Sequence, residues 1–384
     1  MKKWGLRILS ALLTFTLGLC ATAFVRFIFA PAAKLRPVYD GASIQVQPPS
    51  TQIAGAAQPP DKADEIMQPH PVSISPYEIK RIIDEDRRTY QALDKSTLNL
   101  ASIWDQLGLK EDENGFFSDL CIGHCSADIS RLELDGKSGK ETLLRIIDNT
   151  GMDYRYLIFQ QEKTSNEHVM WNLLGLVDSS GWYWEPPHRV EVAGTKRWLV
   201  IGLMTGHGSG FGSLAENWYE INENGVEPVL SYQTGLFLGA GANPMIDRKT
   251  KIYSIEDQKG VTTLVLETST SYEEYRTAKE YQSYKPLPLW SNKRKATFVR
   301  EFGAHKFTFD PFHSDISEKD LNSNRDDGVH ITDEEFLKYN YYDLARLAVN
   351  GSAKQKEWLR NYLETCDDSP EKQSLQKALE GARP

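Results

Sequence analysis

The middle of the chain is a succession of short segments rich in Val, Ile, Leu and aromatic residues, separated from one another by Gly, Asp, Asn or Pro. This pattern predicts β-strands. Since no helical stretch separates them and 223–226 is typical of a hairpin turn, we predict an antiparallel meander folded into a sandwich, a barrel or a partial propeller. A polar, aromatic-rich excursion at 271–294 interrupts the meander. The predicted strands are 142–148, 154–160, 169–177, 188–193, 197–204, 217–221, 228–232, 250–256, 261–269, 296–302 and 305–310.

Helical patterns flank these strands. Ser75, Pro76 and Glu78 form a capping box with proline at the first helical position, and isoleucines follow at helical spacing. A second short helix is predicted over 98–107. Three more helices are predicted after the capping residues Thr332, Ser352 and Ser369. The predicted fold class is therefore α+β, mainly β, with N- and C-terminal helices around the meander.

Residues 1–30 carry a targeting segment. Basic residues precede an uncharged apolar run over 8–25, which is long for a signal-peptide core and close to the length that spans a bilayer. We therefore favour an uncleaved signal anchor, with a cleaved signal peptide as the alternative because 21–23 reads Ala-Thr-Ala. The Lys/Arg bias places everything after this segment outside the cytoplasm. We predict a bacterial cell-envelope protein, anchored in the inner membrane facing the periplasm or exterior, or secreted.

The composition divides the chain into five parts. Residues 31–74 are rich in Pro, Ala, Gln and Ser without a periodic apolar pattern, which is typical of a disordered tether. The predicted parts are the signal anchor or signal peptide (1–30), the Pro-rich tether (31–74), a helical lead-in (75–127), an antiparallel β domain (128–312) and a C-terminal helical hairpin or bundle (330–381).

The charge balance limits the partners. The formal net charge is -9, and residues 1–30 contribute four basic residues and no acid, so the rest of the chain carries -13. Such an acidic surface repels phosphate backbones, and we predict no nucleic-acid partner. The predicted partners are the membrane, through the N-terminal segment, and an unknown envelope ligand or protein. No cofactor is predicted.

The pentapeptide CIGHC at 121–125 contains two cysteines and a histidine. Haem attachment and thioredoxin chemistry require Cys-x-x-Cys, whereas three residues separate these cysteines. Zinc and free thiols stay as alternatives, although zinc would need a fourth ligand. Because export exposes the segment to an oxidising compartment, we predict a disulfide between Cys121 and Cys125. Cys366 is predicted to be a buried apolar residue, and His124 has no assigned role.

The segment ELDGKSGKETLLRI at 133–146 resembles one unit of the FG-GAP/VCBS repeats, whose acidic Asp-Gly turn binds calcium. The resemblance implies Asp135 and Glu141 as ligands. Lys137 and Ser138 stand where further oxygen ligands are expected, and the sequence shows no series of copies. We therefore favour an ordinary Asp-Gly turn and no metal, with calcium as the alternative.

The segment TGHGSGFGS at 205–213 has glycines at alternate positions after a predicted strand. Its spacing excludes a P-loop, a dinucleotide fingerprint and a nucleophile elbow. The simplest interpretation is a flexible hairpin loop, able to approach a ligand closely. Together with Trp182 and Trp184, this segment forms the predicted rim of any ligand site. The predicted rim residues are Gly206, His207, Gly208, Ser209, Gly210, Trp182 and Trp184.

Two functions stay open at this point. The first is a non-enzymatic, membrane-tethered envelope protein that binds a ligand or partner, indicated by the targeting segment, the tether and the lack of a complete catalytic motif. The alternative is an envelope hydrolase centred on His207 and Ser209, which could form part of a catalytic pair. We favour the first.

Overall fold

The structure is a computed structural model that describes twelve ranges of the chain. These are 68–93, 100–109, 125–134, 141–148, 153–163, 169–180, 188–208, 211–222, 224–239, 244–274, 286–322 and 332–381.

The first described segment forms one short strand and two helices. These are β1 (His70–Val72), α1 (Pro76–Leu93) and α2 (Leu100–Leu107). The predicted cap is present, because the Ser75 hydroxyl accepts a hydrogen bond from the backbone N–H of Glu78 at 3.1 Å. At the end of α2, Gly108 adopts φ +67°, and the His70 ring donates to the Leu107 carbonyl at 2.7 Å.

The first sheet has five antiparallel strands in the order β1-β5-β4-β3-β2. Its other strands are β2 (Ser126–Leu132), β3 (Glu141–Ile147), β4 (Asp153–Lys163) and β5 (Val169–Ser180). The helices α1 and α2 cover one face of this sheet with their apolar sides. The core that they form with it includes Ile79, Ile83, Trp104, Leu107, Leu144 and Phe159.

The second sheet is an eight-stranded meander in which each strand pairs with the next along the chain. Its strands are β6 (His188–Ala193), β7 (Lys196–Gly208), β8 (Phe211–Asn222), β9 (Gly225–Leu238), β10 (Met245–Gln258), β11 (Val261–Glu274), β12 (Leu287–Arg300) and β13 (Thr308–Asp310). The sheet curves back on itself, because Lys196 reaches the hydroxyl of Thr262 at 2.8 Å and Phe307 N–H donates to the Val229 carbonyl at 2.9 Å. The described strands do not close into a barrel.

The two sheets pack against each other through a shared apolar cluster. It includes Leu143, Tyr156, Ile158 and Val177 from the first sheet and Leu199, Ile201 and Ile221 from the second. Gly175 lies at the point of close approach, since a Cβ at this position would overlap the Val226 side chain of β9. A second cluster fills the inside of the curved sheet, where the rings of Trp198, Trp218 and Phe307 pack at 5.7 to 6.1 Å.

The C-terminal region is helical, as predicted. It contains α3 (Glu318–Leu321), α4 (Asp333–Asn350), α5 (Ala353–Thr365) and α6 (Pro370–Gly381). Both predicted capping residues at the starts of α4 and α5, Thr332 and Ser352, form complete capping boxes. These helices pack on strand ends of the second sheet, with Phe336 and Trp358 against Trp290. Cys366 carries a free thiol in this core, which confirms the prediction of a buried residue.

The predicted fold class is confirmed: the chain is α+β and mainly β, with two antiparallel sheets and helices in both terminal regions. Three predictions of element bounds were wrong. His70–Val72, at the end of the predicted tether, form β1. The strands β7 and β8 extend through most of the predicted loop 205–213. The excursion predicted at 271–294 is strand at both ends, with only residues 275–285 outside the described ranges.

The targeting prediction concerns residues outside the described ranges. Among the helices that the structure describes, none combines the length and the apolar composition of a membrane span. The signal-anchor and tether predictions stay predictions.

Candidate functional site

The outer face of β10–β12 carries a regular arrangement of lysines. Residues at alternate positions of β11 are buried, and the intervening ones face outward, so one side of these strands is core and the other is solvent-facing. On the outer side, Lys249 and Lys251 lie on β10, and Lys293 and Lys295 lie on β12. We call this surface the lysine trough and define it by Lys249, Lys251, Glu267, Ser269, Ser271, Lys293 and Lys295.

The strand register places the lysines in two facing pairs. Lys249 and Lys293 are both opposite Ser269 of β11, and Lys251 and Lys295 are both opposite Glu267. Because neighbouring strands lie about 4.8 Å apart, the two lysine columns are about 10 Å apart at the backbone. The side chains of β11 form the floor between them.

Glu267 lies in the trough between lysines of two strands. Lys251 Nζ is 3.1 Å and Lys293 Nζ is 3.7 Å from the same oxygen, Glu267 Oε1. The hydrogen bond from Lys251 lowers the pKa of Glu267, partial burial opposes this, and the charges of Lys251, Lys293 and Lys295 lower it further. The two lysine side chains keep 67% and 69% of their surface exposed, so both ammonium groups still reach solvent. Ammonium groups from two strands thus converge on one carboxylate.

The ends of the trough are also polar. Lys249 Nζ is 3.1 Å from Asp247 Oδ2, and Lys295 Nζ lies 3.6 Å from the ring centroid of Tyr253, which is 57% exposed. Asp315 accepts a hydrogen bond from the backbone N–H of Lys295 at the outer edge of β12. Four lysines outnumber Glu267 in the middle of the trough, which is therefore positive in a chain whose formal net charge is -9.

The inner face of the same strands carries a buried polar band. On each strand it separates the aromatic cluster inside the curved sheet from the cluster under the C-terminal helices. The band consists of Arg248 and Thr250 on β10, Thr268 and Thr270 on β11, and Asn292 and Arg294 on β12. A polar layer in this position costs free energy unless its groups are hydrogen-bonded.

Helices α3 and α4 cover this band. Arg248 donates to the Asp320 carbonyl at 2.8 Å, and Arg294 donates to the Tyr339 carbonyl at 3.0 Å. Asn292 Nδ2 donates to Asp343 Oδ2 at 3.2 Å, which fixes its amide orientation because a carboxylate can only accept. Among the described residues, three buried oxygens on or beside the band have no hydrogen-bond partner: Thr270 Oγ1, Asn292 Oδ1 and Tyr339 OH.

Those three oxygens also lack room for a ligand in this conformation. Each is covered by neighbouring atoms, which leaves no surface for a water molecule to contact. The polar band is therefore closed, and the lysine trough is open.

A third polar group lies on β6, β8 and β9. Arg189 Nε donates to Glu191 at 2.6 Å, and its other two nitrogens bind Glu216. Tyr232 donates to Glu216 Oε2 at 2.7 Å. Burial opposes the charge of Arg189, but its bonds to Glu216 and Glu191 raise its pKa above the ordinary value. The group is internally satisfied, which is typical of a structural network.

The predicted ligand rim is only partly within the described ranges. Gly206, His207 and Gly208 lie on β7, opposite Ser213, Gly212 and Phe211 of β8. Ser209, Gly210, Trp182 and Trp184 lie outside the described ranges. The Gly-rich segment is thus mostly the end of a strand pair, and its role as a rim stays a prediction. The hydrolase alternative at His207 and Ser209 also stays a prediction.

The cysteine prediction is likewise untested. Cys125 is buried in the core under α1 and α2, directly before β2, and Cys121 and His124 lie outside the described ranges. The disulfide between Cys121 and Cys125 stays a prediction.

The calcium alternative rests on two residues, of which Asp135 lies outside the described ranges. Glu141 is fully buried at the start of β3, and its Oε2 accepts a hydrogen bond from Leu134 N–H at 2.8 Å. One carboxylate oxygen thus accepts a hydrogen bond from the backbone just before the predicted Asp-Gly turn. Within the described part of the chain, no group of three or more His, Cys, Asp or Glu residues is arranged to hold a metal ion.

Comparison with known proteins adds no family to this picture. No family model, no curated protein and no solved structure matches the chain.

The sequence-based search missed the lysine trough. A signal was present, since lysines alternate at 249 and 251 and again at 293 and 295. The predicted excursion at 271–294 includes Lys293 but not Lys295, so its end divided the second pair and hid the alternation.

Proposed function

We propose that this chain is a non-enzymatic binding protein of the cell envelope, and that the lysine trough docks a negatively charged partner. The observation that carries the proposal is the convergence of Lys251 and Lys293, from two different strands, on one oxygen of Glu267. An exposed sheet face that already binds one carboxylate between two ammonium groups is suited to bind others.

The charge of the whole chain supports this proposal. The formal net charge of -9 makes most approaches unfavourable for an anionic partner, and the trough offers a local complement. At physiological ionic strength, charges more than about 8 Å apart are largely screened, so contact with the trough outweighs the distant repulsion. The distribution of charge on the chain therefore determines both whether an anionic partner binds and where on the surface it docks.

The proposed location in the cell envelope rests on the sequence. The apolar run at 8–25 with its basic flank, followed by the Pro-rich segment at 31–74, favours export with attachment to the membrane. A tethered binding domain can sample partners within reach of its linker.

The interior gives less support for a ligand site. The polar band is covered by α3 and α4, and its unpartnered oxygens have no adjoining space. Of the two faces of β10–β12, the outer one is accessible to a partner.

Binding of two polyanions by the full-length chain tests the proposal. Labelled poly-glutamate and labelled polyphosphate are titrated by fluorescence anisotropy, with neutral dextran as a probe that should not bind. We expect at least one polyanion to bind, and its binding to weaken as salt rises because the contacts are exposed ion pairs.

Two double variants of equal charge change provide the control. Lys251→Ser with Lys293→Ser removes the centre of the trough, and we expect about tenfold weaker binding. Lys319→Ser with Lys338→Ser removes two exposed lysines of the C-terminal helices, and it should leave binding unchanged. Equal losses in both double variants, or no lysine-dependent binding of either polyanion, would refute the proposal.

A further inference from the structure

The spacing of the trough lysines points to a particular kind of partner. Lys249 and Lys251 are two residues apart on β10, and Lys293 and Lys295 are two residues apart on β12. Residues at this separation on a strand lie about 7 Å apart on the same face. An extended polypeptide presents alternate side chains at the same interval. The lysine pairs therefore match acidic residues placed at every second position.

We infer that the partner of the lysine trough is an acidic polypeptide segment, bound in extended conformation along β11, with Asp or Glu at alternate positions. This inference rests on the proposed function and names the partner of that site. It specifies an order of residues, which net charge alone does not.

The shape of the trough accommodates one chain. Its lysine columns stand about 10 Å apart, twice the spacing of neighbouring strands, which leaves the width of one extended chain between them. Ser269 and Ser271 line the floor with small hydroxyl side chains, which can donate to or accept from a main chain above them. The Glu267 side chain fills the floor at its own position, so the open part of the floor lies at Ser269 and Ser271.

The docking mode is not strand addition. The backbone of β11 is already paired with β10 on one side and β12 on the other. A segment lying along β11 therefore contacts side chains of the sheet face and not a free edge. Recognition then depends on the spacing of its acidic side chains.

Glu267 occupies the position that we assign to a partner carboxylate. Its Oε1 lies within reach of both Lys251 and Lys293, and their contacts lower its pKa, so it is ionised at neutral pH. It therefore competes with an incoming carboxylate for the same two ammonium groups. Removing its charge should therefore strengthen binding.

Two peptides of identical composition test the inference on the full-length chain. One alternates Glu and Ser, and the other carries the same glutamates in one block followed by the serines. We expect the alternating peptide to bind about threefold to tenfold more tightly, since each glutamate that is out of register forfeits an exposed ion pair with a lysine.

Variants complete the test. Glu267→Gln should tighten binding of the alternating peptide by about threefold, and Lys251→Ser with Lys293→Ser should weaken it by about tenfold. Equal affinities for the two peptides, or no change with Glu267→Gln, would overturn the inference. Thermal unfolding of each variant verifies that it is folded.

The outcomes separate this inference from the proposed function. If polyphosphate binds through the same lysines and neither peptide does, the polypeptide partner is wrong and an anionic partner still stands. If no anionic probe binds through these lysines, both are wrong.

Discussion

Arg189 of β6 holds both carboxylate oxygens of Glu216 of β8, with Nη1 to Oε1 at 2.6 Å and Nη2 to Oε2 at 2.8 Å. Tyr232 of β9 donates to the same Oε2. This bidentate pair joins strands that are not hydrogen-bonded neighbours, because β7 lies between β6 and β8.

We expect Glu216→Gln to lower the free energy of unfolding by about 2 kcal/mol, because it leaves the partly buried Arg189 without its main counter-charge. Urea denaturation measures the change. Glu191→Gln is the control, since Glu191 accepts one bond from Arg189 and is more exposed than Glu216. It should cost less than about 1 kcal/mol. Equal losses in the two variants would contradict a dominant role for the bidentate pair.

Tyr232 should make the protein less stable at alkaline pH. Burial raises its pKa well above the ordinary value, and the charge of Glu216 and the bond to it raise the pKa further. The unfolded chain releases this proton near pH 10 and the folded chain keeps it. The contribution of Tyr232 ionisation to the free energy of unfolding is therefore complete below pH 10. Above pH 10 it falls by about 1.4 kcal/mol per pH unit.

Urea unfolding at several alkaline pH values measures this slope. Tyr232→Phe should reduce the slope by about the contribution of one tyrosine, while lowering stability at neutral pH through loss of the bond to Glu216. An unchanged slope in the variant would show that other groups govern the alkaline transition.

Thr270 and Thr268 are a matched pair on β11. Both are 1% exposed and both belong to the polar band, but Thr268 shares a hydrogen bond with Thr250 at 3.1 Å, and Thr270 Oγ1 has no partner among the described residues. We expect Thr268→Val to cost about 1 kcal/mol and Thr270→Val to be neutral or stabilising. Thermal unfolding compares the two. If Thr270→Val is as costly as Thr268→Val, its hydroxyl is satisfied in solution and the band is not closed.

Gly175 should control the packing of the two sheets. Gly175→Ala adds a methyl group that overlaps Val226, and we expect a loss of about 1 to 3 kcal/mol. Gly212→Ala is the control, because a Cβ there meets nothing within 4 Å. Combining Gly175→Ala with Val226→Ala should recover part of the loss. If the losses of the two single variants simply add in the double variant, the overlap between residue 175 and Val226 is not the cause of the lost stability.

The sequence predicted most of the fold because local signals and packing agree. The strand at 188–193 and the capping box at Thr332 coincide with the structure. The pattern failed where the buried side of a strand is itself polar. Around Thr268, Thr270 and Asn292, both faces carry polar residues, so the alternation that marks a strand disappears.

The candidate site was less predictable for a related reason. The trough depends on the register of three strands, which aligns Lys251, Glu267 and Lys295 although they are distant along the chain. Register is decided by tertiary packing and is not readable from any one segment. The Gly-rich segment at 205–213 could be singled out from the sequence because its alternating glycines lie within one short stretch.

The order of strands has a consequence for how the molecule assembles. From β2 to β5 and again from β6 to β13, each described strand pairs with the one that follows it. These hairpins can form one after another as the chain emerges, with little loop-closure entropy at each step. The pairing of β1 with β5 differs, because His70 meets Leu173 across the intervening chain. The N-terminal strand must therefore wait for β5, which makes its docking the last pairing of the first sheet, next to the predicted tether.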